Sequence, residues 1–277
     1  MKKTVIGFIL LLIFTTFLTG CKNNPSPKDI MLQALDKEEE IKSSTFHGHA
    51  EILFESGIES LHLNFKGKKI NNPMQLEANL WIEELKMDLN IQMNDNKLYI
   101  KLPTLMTNYF ADLSNKYLYI DLTETLLASL QLDQENQVNL ERALVEGLED
   151  NAFVLENAKN YSIEDGEVTN VVSIKLTEQD LSPFLQSISG TNQQFEFNNI
   201  KMTSVLDKNS HERRSLIEME AVFHQEQENE LVFKINMEQN LEDLNKEIVF
   251  EMPIPRSEQL IRMEELEQMF NMGMNIQ

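Results

Sequence analysis

The chain has 277 residues and a formal net charge of −21, from 24 basic and 45 acidic side chains. So acidic a chain lacks the clustered Lys and Arg that neutralise phosphates, which argues against nucleic-acid binding and against electrostatic docking on anionic headgroups. A hydrophobic fraction of 42% allows a large core and argues against disorder, while a single cysteine excludes an internal disulfide.

The chain begins "MKKTVIGFILLLIFTTFLTGC". Lys2 and Lys3 form a basic start, and Val5 to Leu18 is a mostly apolar run. That run is short for a membrane span, and no later apolar run reaches spanning length. It ends in Leu18-Thr19-Gly20-Cys21, which resembles a bacterial lipobox. In proteins with that motif the chain is cut before the cysteine and the thiol is diacylated. The expectation is a signal peptide over residues 1–20 and lipidation of Cys21. The alternative is an ordinary secretory signal with an incidental cysteine. Two or three acyl chains, at about 0.8 kcal/mol per buried CH₂, anchor a protein stably. The protein is therefore expected on the extracytoplasmic face of the cell membrane, held by its lipid. Residues 21–26 read as lipidated cysteine and tether, and 27–277 as a single domain.

Ser26 and Pro27 predict a helix start, with Met31, Leu32, Leu35 and Ile41 at helical spacing through "DIMLQALDKEEEIKS". Period-two alternation follows. Phe46, Ala50, Ile52 and Phe54 face one way, as do Leu61, Leu63 and Phe65. Leu76, Ala78, Leu80 and Ile82 repeat the pattern, then Met87, Leu89, Ile91 and Met93, and a strand with Leu98 and Ile100. "KYLYIDL" adds another strand. This is an antiparallel meander with one apolar and one polar face. "TETLLASLQL" and "QVNLERALVEGLED" read as helices, the second ending near Gly147. Strands return at "AFVLENAKNYSIEDGEVTNVVSIKLT", with a turn at Asp165-Gly166, and "EQDLSPFLQSIS" reads as a short helix. "FEFNNIKMTSVLD", "SLIEMEAVFHQ", "NELVFKINMEQ" and "KEIVFEMP" predict further strands. "RSEQLIRMEELEQMF" predicts a closing amphipathic helix with Leu260, Met263, Leu266 and Phe270. No linker divides the two strand-rich regions, which predicts one continuous curved sheet.

The stretches "LHLNFKGKKINNPMQLEANLWI", "NKLYIKLP" before "KYLYIDL", and "VVSIKLTEQDLSPFLQSI" before "FNNIKMTSVLDKNSHERRSLIEMEAVF" carry a resemblance. Behind a lipobox, this pattern resembles Gram-positive lipoproteins with a fold similar to the carrier LolA and to LppX. The resemblance implies an α+β fold: a curved antiparallel half-barrel of about eleven strands, with helices packed on its concave apolar face. It also implies a lipid or other apolar ligand held there, without naming a site.

On the alternation, Leu63, Phe65, Leu80, Ile82, Leu89 and Ile91 are the candidate ligand-binding residues. The apolar side chains, including 14 methionines, suit either a core or an adaptable pocket. Trp81, Tyr99 and Tyr119, with Tyr117, fall on the polar face and are a candidate patch for an envelope-protein partner. His47, His49, Glu51 and His62 share that face. If the first two strands form a hairpin, His62 stands opposite Glu51 with His49 diagonal to it. That arrangement permits zinc, but it matches no strong metal signature, and the expectation is water-facing histidines without metal. There is no G-x-S-x-G, P-loop, H-E-x-x-H or G-x-G-x-x-G. The sequence reading is a non-enzymatic, cofactor-free lipoprotein. It binds a lipid or apolar ligand or, alternatively, docks an envelope protein without any ligand.

Overall fold

The computed structural model describes residues 25–54, 60–71, 74–94, 97–103, 113, 115–121, 134–180, 195–224, 230–252, 254–262, 265, 266 and 268. Cys21, the leader and the expected helix over "TETLLASLQL" lie outside them, as does most of "EQDLSPFLQSIS".

Helix α1 spans Pro27–Glu38. The Ser26 hydroxyl accepts from the Asp29 backbone N–H, and the Asp29 carboxylate accepts from the Ser26 backbone N–H. This reciprocal cap fixes the start. The helix is shorter than its apolar periodicity predicts: Ile41 follows it as a buried residue, and Ser43 already lies in a strand.

Six strands follow: β1 Ser43–Phe54, β2 Leu61–Asn71, β3 Met74–Ile82, β4 Met87–Asn94, β5 Lys97–Lys101 and β6 Tyr117–Asp121. Each pairs antiparallel with the next. After α2 (Gln134–Gly147) come β7 Phe153–Leu155, β8 Val168–Leu176, β9 Phe195–Asp207, β10 Glu212–His224 and β11 Glu230–Glu242, a second antiparallel meander. β1 joins the two halves. It pairs with β11 from Thr45 opposite Glu242 to Phe54 opposite Phe233. The result, with a short β12 (Leu260–Arg262) at one edge, is one curved, unclosed sheet of twelve strands, in the order β12-β6-β5-β4-β3-β2-β1-β11-β10-β9-β8-β7.

Glycines allow two aromatic rings to cross the central strands. Phe65 lies opposite Gly48, and Gly67 opposite Phe46. A Cβ on Gly48 would stand 2.6 Å from the Phe65 ring and 2.1 Å from the Glu238 carbonyl oxygen. On Gly67 it would stand 2.4 Å from the Phe46 ring. Register shifts between β8, β9 and β10 add local bends.

Two expected elements differ. "KEIVFEMP" is not a strand but an extended segment laid across the polar face. Glu77, only 6% exposed, accepts hydrogen bonds from the Glu251 and Met252 backbone N–H groups, at 2.7 and 2.9 Å. Lys68 Nζ donates to the Val249 carbonyl, and Gln92 Nε2 to that of Met252. Side chains of three strands thus satisfy the backbone that a sheet ladder would otherwise satisfy. The expected closing helix begins with a strand instead. β12, Leu260–Arg262, pairs parallel with β6. The open edge of β6 offers unpaired backbone groups, and Ile261 buries itself beside Leu118.

The main core lies at the β7–β9 end, where Ile30, Met31, Ala34 and Leu35 of α1 and Val138 and Val145 of α2 meet the sheet. Lys28 Nζ donates to the Glu146 and Leu148 carbonyls, satisfying the end of α2. Arg142 bridges Asp36 and Glu39 at 2.8 and 3.0 Å. A second cluster, with Leu102, Leu113, Leu118, Ile261 and Leu266, closes the β6–β12 edge. Between these packed ends the apolar face of the central strands is only half-buried.

Candidate functional site

A cavity of about 310 Å³ opens between α1, α2 and strands β8–β11. Helical spacing brings Met31, Ala34 and Leu35 onto one side of it, with Leu144 and Val145 of α2 beside them. Alternation in the strands supplies the floor: Ile174 and Leu176, then Met202 and Leu206, then Ile217, then Met237 and Leu241. These walls are apolar and methionine-bearing, suited to a flexible apolar chain.

The other end is polar and acidic. Glu38, Glu141 and Glu212 line it together with Lys69, Ser204 and Gln239. Burial, and next the neighbouring Glu38, push the Glu212 carboxyl up to about 8, against a hydrogen bond with Ser204 that favours the anion. Burial likewise raises Glu38, opposed by Lys69. At neutral pH Glu212 therefore carries a proton and can donate a hydrogen bond into the cavity.

The six apolar residues expected to bind ligand share one face, as the pairing requires. Leu63 stands opposite Ile82, Phe65 opposite Leu80, Leu80 opposite Leu89, and Ile91 opposite Ala78. All six are half-buried. None of them lines the cavity, which sits further along the same face. The sequence carried a signal for the cavity residues in the alternation of β8–β11 and the α1 stripe. It held no cue that helices would stand over those strands and not over β2–β4. Glu212 in particular shows no sign in the sequence of being buried.

The aromatic residues separate. Tyr99 and Tyr119 are register partners with ring centroids 5.8 Å apart, and Tyr99 is buried at 7% exposure. Trp81, 37% exposed, lies four residues along β3 from Glu77, which shares the tyrosines' row. At about 3.3 Å per residue that is ~13 Å away. Trp81 neighbours Leu85, itself half-exposed, in the β3–β4 turn.

The expected hairpin forms, with Glu51 opposite His62 and His49 opposite Asn64. Both ring nitrogens of His62 face carboxylates: Nδ1 lies 2.6 Å from Glu84 and Nε2 3.3 Å from Glu51. Glu84 foremost, then Glu51, raises the His62 pKa. His47 turns to Glu242, with Nδ1 3.1 Å from Oε1. The four polar-face residues His47, His49, Glu51 and His62 therefore do not converge on one point.

A further carboxylate, Glu156, accepts from Ser173 at 2.5 Å, Tyr161 at 2.6 Å and Lys201 at 3.0 Å. Those donors, Ser173 foremost, pull it down to about 2. It holds the segment before β8 against the polar face.

No family model matches this chain, and no curated protein matches it. Among solved structures it is similar to LprF from Mycobacterium bovis, at 12% identity and a TM-score of 0.47, over 84% of this chain and 99% of that one. It is also similar to the lipoprotein LppX from Mycobacterium tuberculosis, at 12% identity and a TM-score of 0.43, over 83% and 100%. What this chain does must be argued from its own cavity.

Proposed function

We propose that this protein is a lipoprotein, anchored through Cys21 on the extracytoplasmic face of the cell membrane, that holds a lipid or other apolar ligand. One observation carries the reading: the cavity of about 310 Å³ with apolar walls between the helices and the sheet. Small-molecule pockets span roughly 300–1,000 Å³, so this one suits a single acyl chain. Burial of methylenes, at about 25 cal/mol per Å², supplies the affinity. The half-buried face with Leu63, Phe65, Leu80, Ile82, Leu89 and Ile91 extends the apolar surface beyond the cavity. At the polar end Glu38, Glu141 and Glu212 face one lysine, which favours a neutral headgroup over an anionic one. The role is binding, not catalysis.

Native mass spectrometry of residues 22–277, purified without detergent and then extracted with organic solvent, tests this. A lipid or apolar molecule at one per chain is the expected result, and Ile217→Trp should displace it by filling the cavity. Added fatty alcohol should bind better than the matching fatty acid at pH 8. A clean apo mass with no uptake of either would overturn the reading.

A second reading has its own observation. Trp81 near the end of β3 and Leu85 in the following turn are both exposed, which favours docking of an envelope protein. Trp81→Ala should weaken capture of that partner under this reading and leave ligand uptake unchanged under the first.

A further inference from the structure

A second group of side chains lies on the opposite, polar face, where the two halves of the sheet meet. His47 of β1, Glu242 at the end of β11 and Glu164 of the segment before β8 each bring one ligand atom within 4.8 Å of the others. Three distant parts of the chain converge here, and their placement is fixed by other contacts. β1–β11 pairing sets Thr45 opposite Glu242 and His47 opposite Asn240. Arg213 positions the loop: its Nε donates to the Leu241 carbonyl and its Nη1 to that of Asp165. The neighbouring Asp243 is already satisfied by Lys246 Nζ at 2.7 Å and the Thr45 hydroxyl at 3.1 Å, so it takes no part.

Glu242 Oε1 is the informative atom. It is buried, and among the described residues no hydrogen-bond donor serves it, although His47 Nδ1 stands 3.1 Å away. A buried carboxylate oxygen without a donor is costly. A second carboxylate oxygen, from Glu164, lies within 4.8 Å of the Glu242 and His47 ligand atoms. Two carboxylate oxygens this close repel each other unless a positive charge, a proton or a cation, stands between them. An imidazole nitrogen facing the same point distinguishes the two, because it adds a lone pair that suits a metal.

We propose that His47, Glu164 and Glu242 bind one divalent transition-metal ion of the zinc class. One nitrogen and two oxygens form the donor set of an open site, with water completing the coordination. The imidazole favours zinc-like ions over calcium or magnesium, which take oxygen ligands. Binding clasps the Glu164 segment onto the β1–β11 seam, which joins the two meanders. The site is independent of the cavity on the other face.

Cobalt(II) titration of the full chain in mild detergent, stripped with chelator and followed by visible absorption, tests it; zinc competition gives the affinity. One equivalent should saturate, with the intense bands of a four- or five-coordinate site. Replacing the ligand in His47→Gln should weaken binding by roughly a hundredfold, and Glu164→Gln by about tenfold. His49→Gln and His62→Gln should leave it unchanged. His47 is half-exposed, so His47→Gln should keep the fold, which circular dichroism checks. Weak, unsaturable uptake with an octahedral spectrum would mean that the acidic surface alone collects ions, and would overturn the site. Equal binding by His47→Gln would also overturn it.

Discussion

His62 sits between two carboxylates, and this sets its titration. Its pKa in the folded protein is raised, by Glu84 above all. A histidine raised on folding contributes stability that is present below the unfolded value, about 6.5, and is lost as pH rises through the folded value. The His62 ring signals in NMR should titrate above the model-peptide value of about 6.5, and Glu84→Gln should move them back toward it. Glu212 runs the other way. Its folded value of about 8 exceeds the ordinary 4.5, so the folded state holds the extra proton between these values. Stability should therefore fall as pH rises across that window. Glu212→Gln removes the titration, and urea denaturation should find the variant more stable at pH 9 by on the order of 1–2 kcal/mol, with little difference at pH 4. Neither environment was legible in the sequence. The spacing placed His62 opposite Glu51, but Glu84 arrives from the next turn. Glu212 meets Glu38 and Glu141 only because α1 and α2 stand over its strand.

Among the elements, the extended segment after β11 depends on one residue. Glu77 accepts two of its backbone N–H groups. Glu77→Ala should cost about 1–3 kcal/mol and remove the hydrogen-exchange protection of the Glu251 and Met252 amides. Unchanged protection would mean that Lys68 and Gln92 suffice. The central strands depend on glycine. Gly48→Val would drive a side chain into the Phe65 ring and the Glu238 carbonyl. A loss of about 1–3 kcal/mol or more is expected by denaturation, and Gly147→Ala, with open space around it, should be tolerated. Alternation made β1–β6 and β8–β11 legible, because a half-buried strand must alternate. It failed for "KEIVFEMP", whose apolar residues suit a strand but whose backbone finds its partners in side chains. It failed again at Leu260–Arg262, where helical spacing lost to the open edge of β6.

At the scale of the molecule, the sheet is two meanders joined by a pairing of β1 with β11, far apart in sequence. The proposed anchoring through Cys21 belongs to this scale as well. Radiolabelled palmitate should enter the protein in its native host and be lost in Cys21→Ala, which should also release the chain from the membrane fraction. Retained label in the variant would point to another attachment. Charge, strand faces and the cap of α1 were determined by the sequence alone, because each depends on residues within a few positions of one another. The location of the cavity, the grouping of Glu212 with Glu38 and Glu141 and the meeting of His47 with Glu164 and Glu242 were decided only by the tertiary structure. They depend on which strands the helices cover and on the β1–β11 seam. Those contacts join residues from separate elements of the chain, and no local pattern encodes their register.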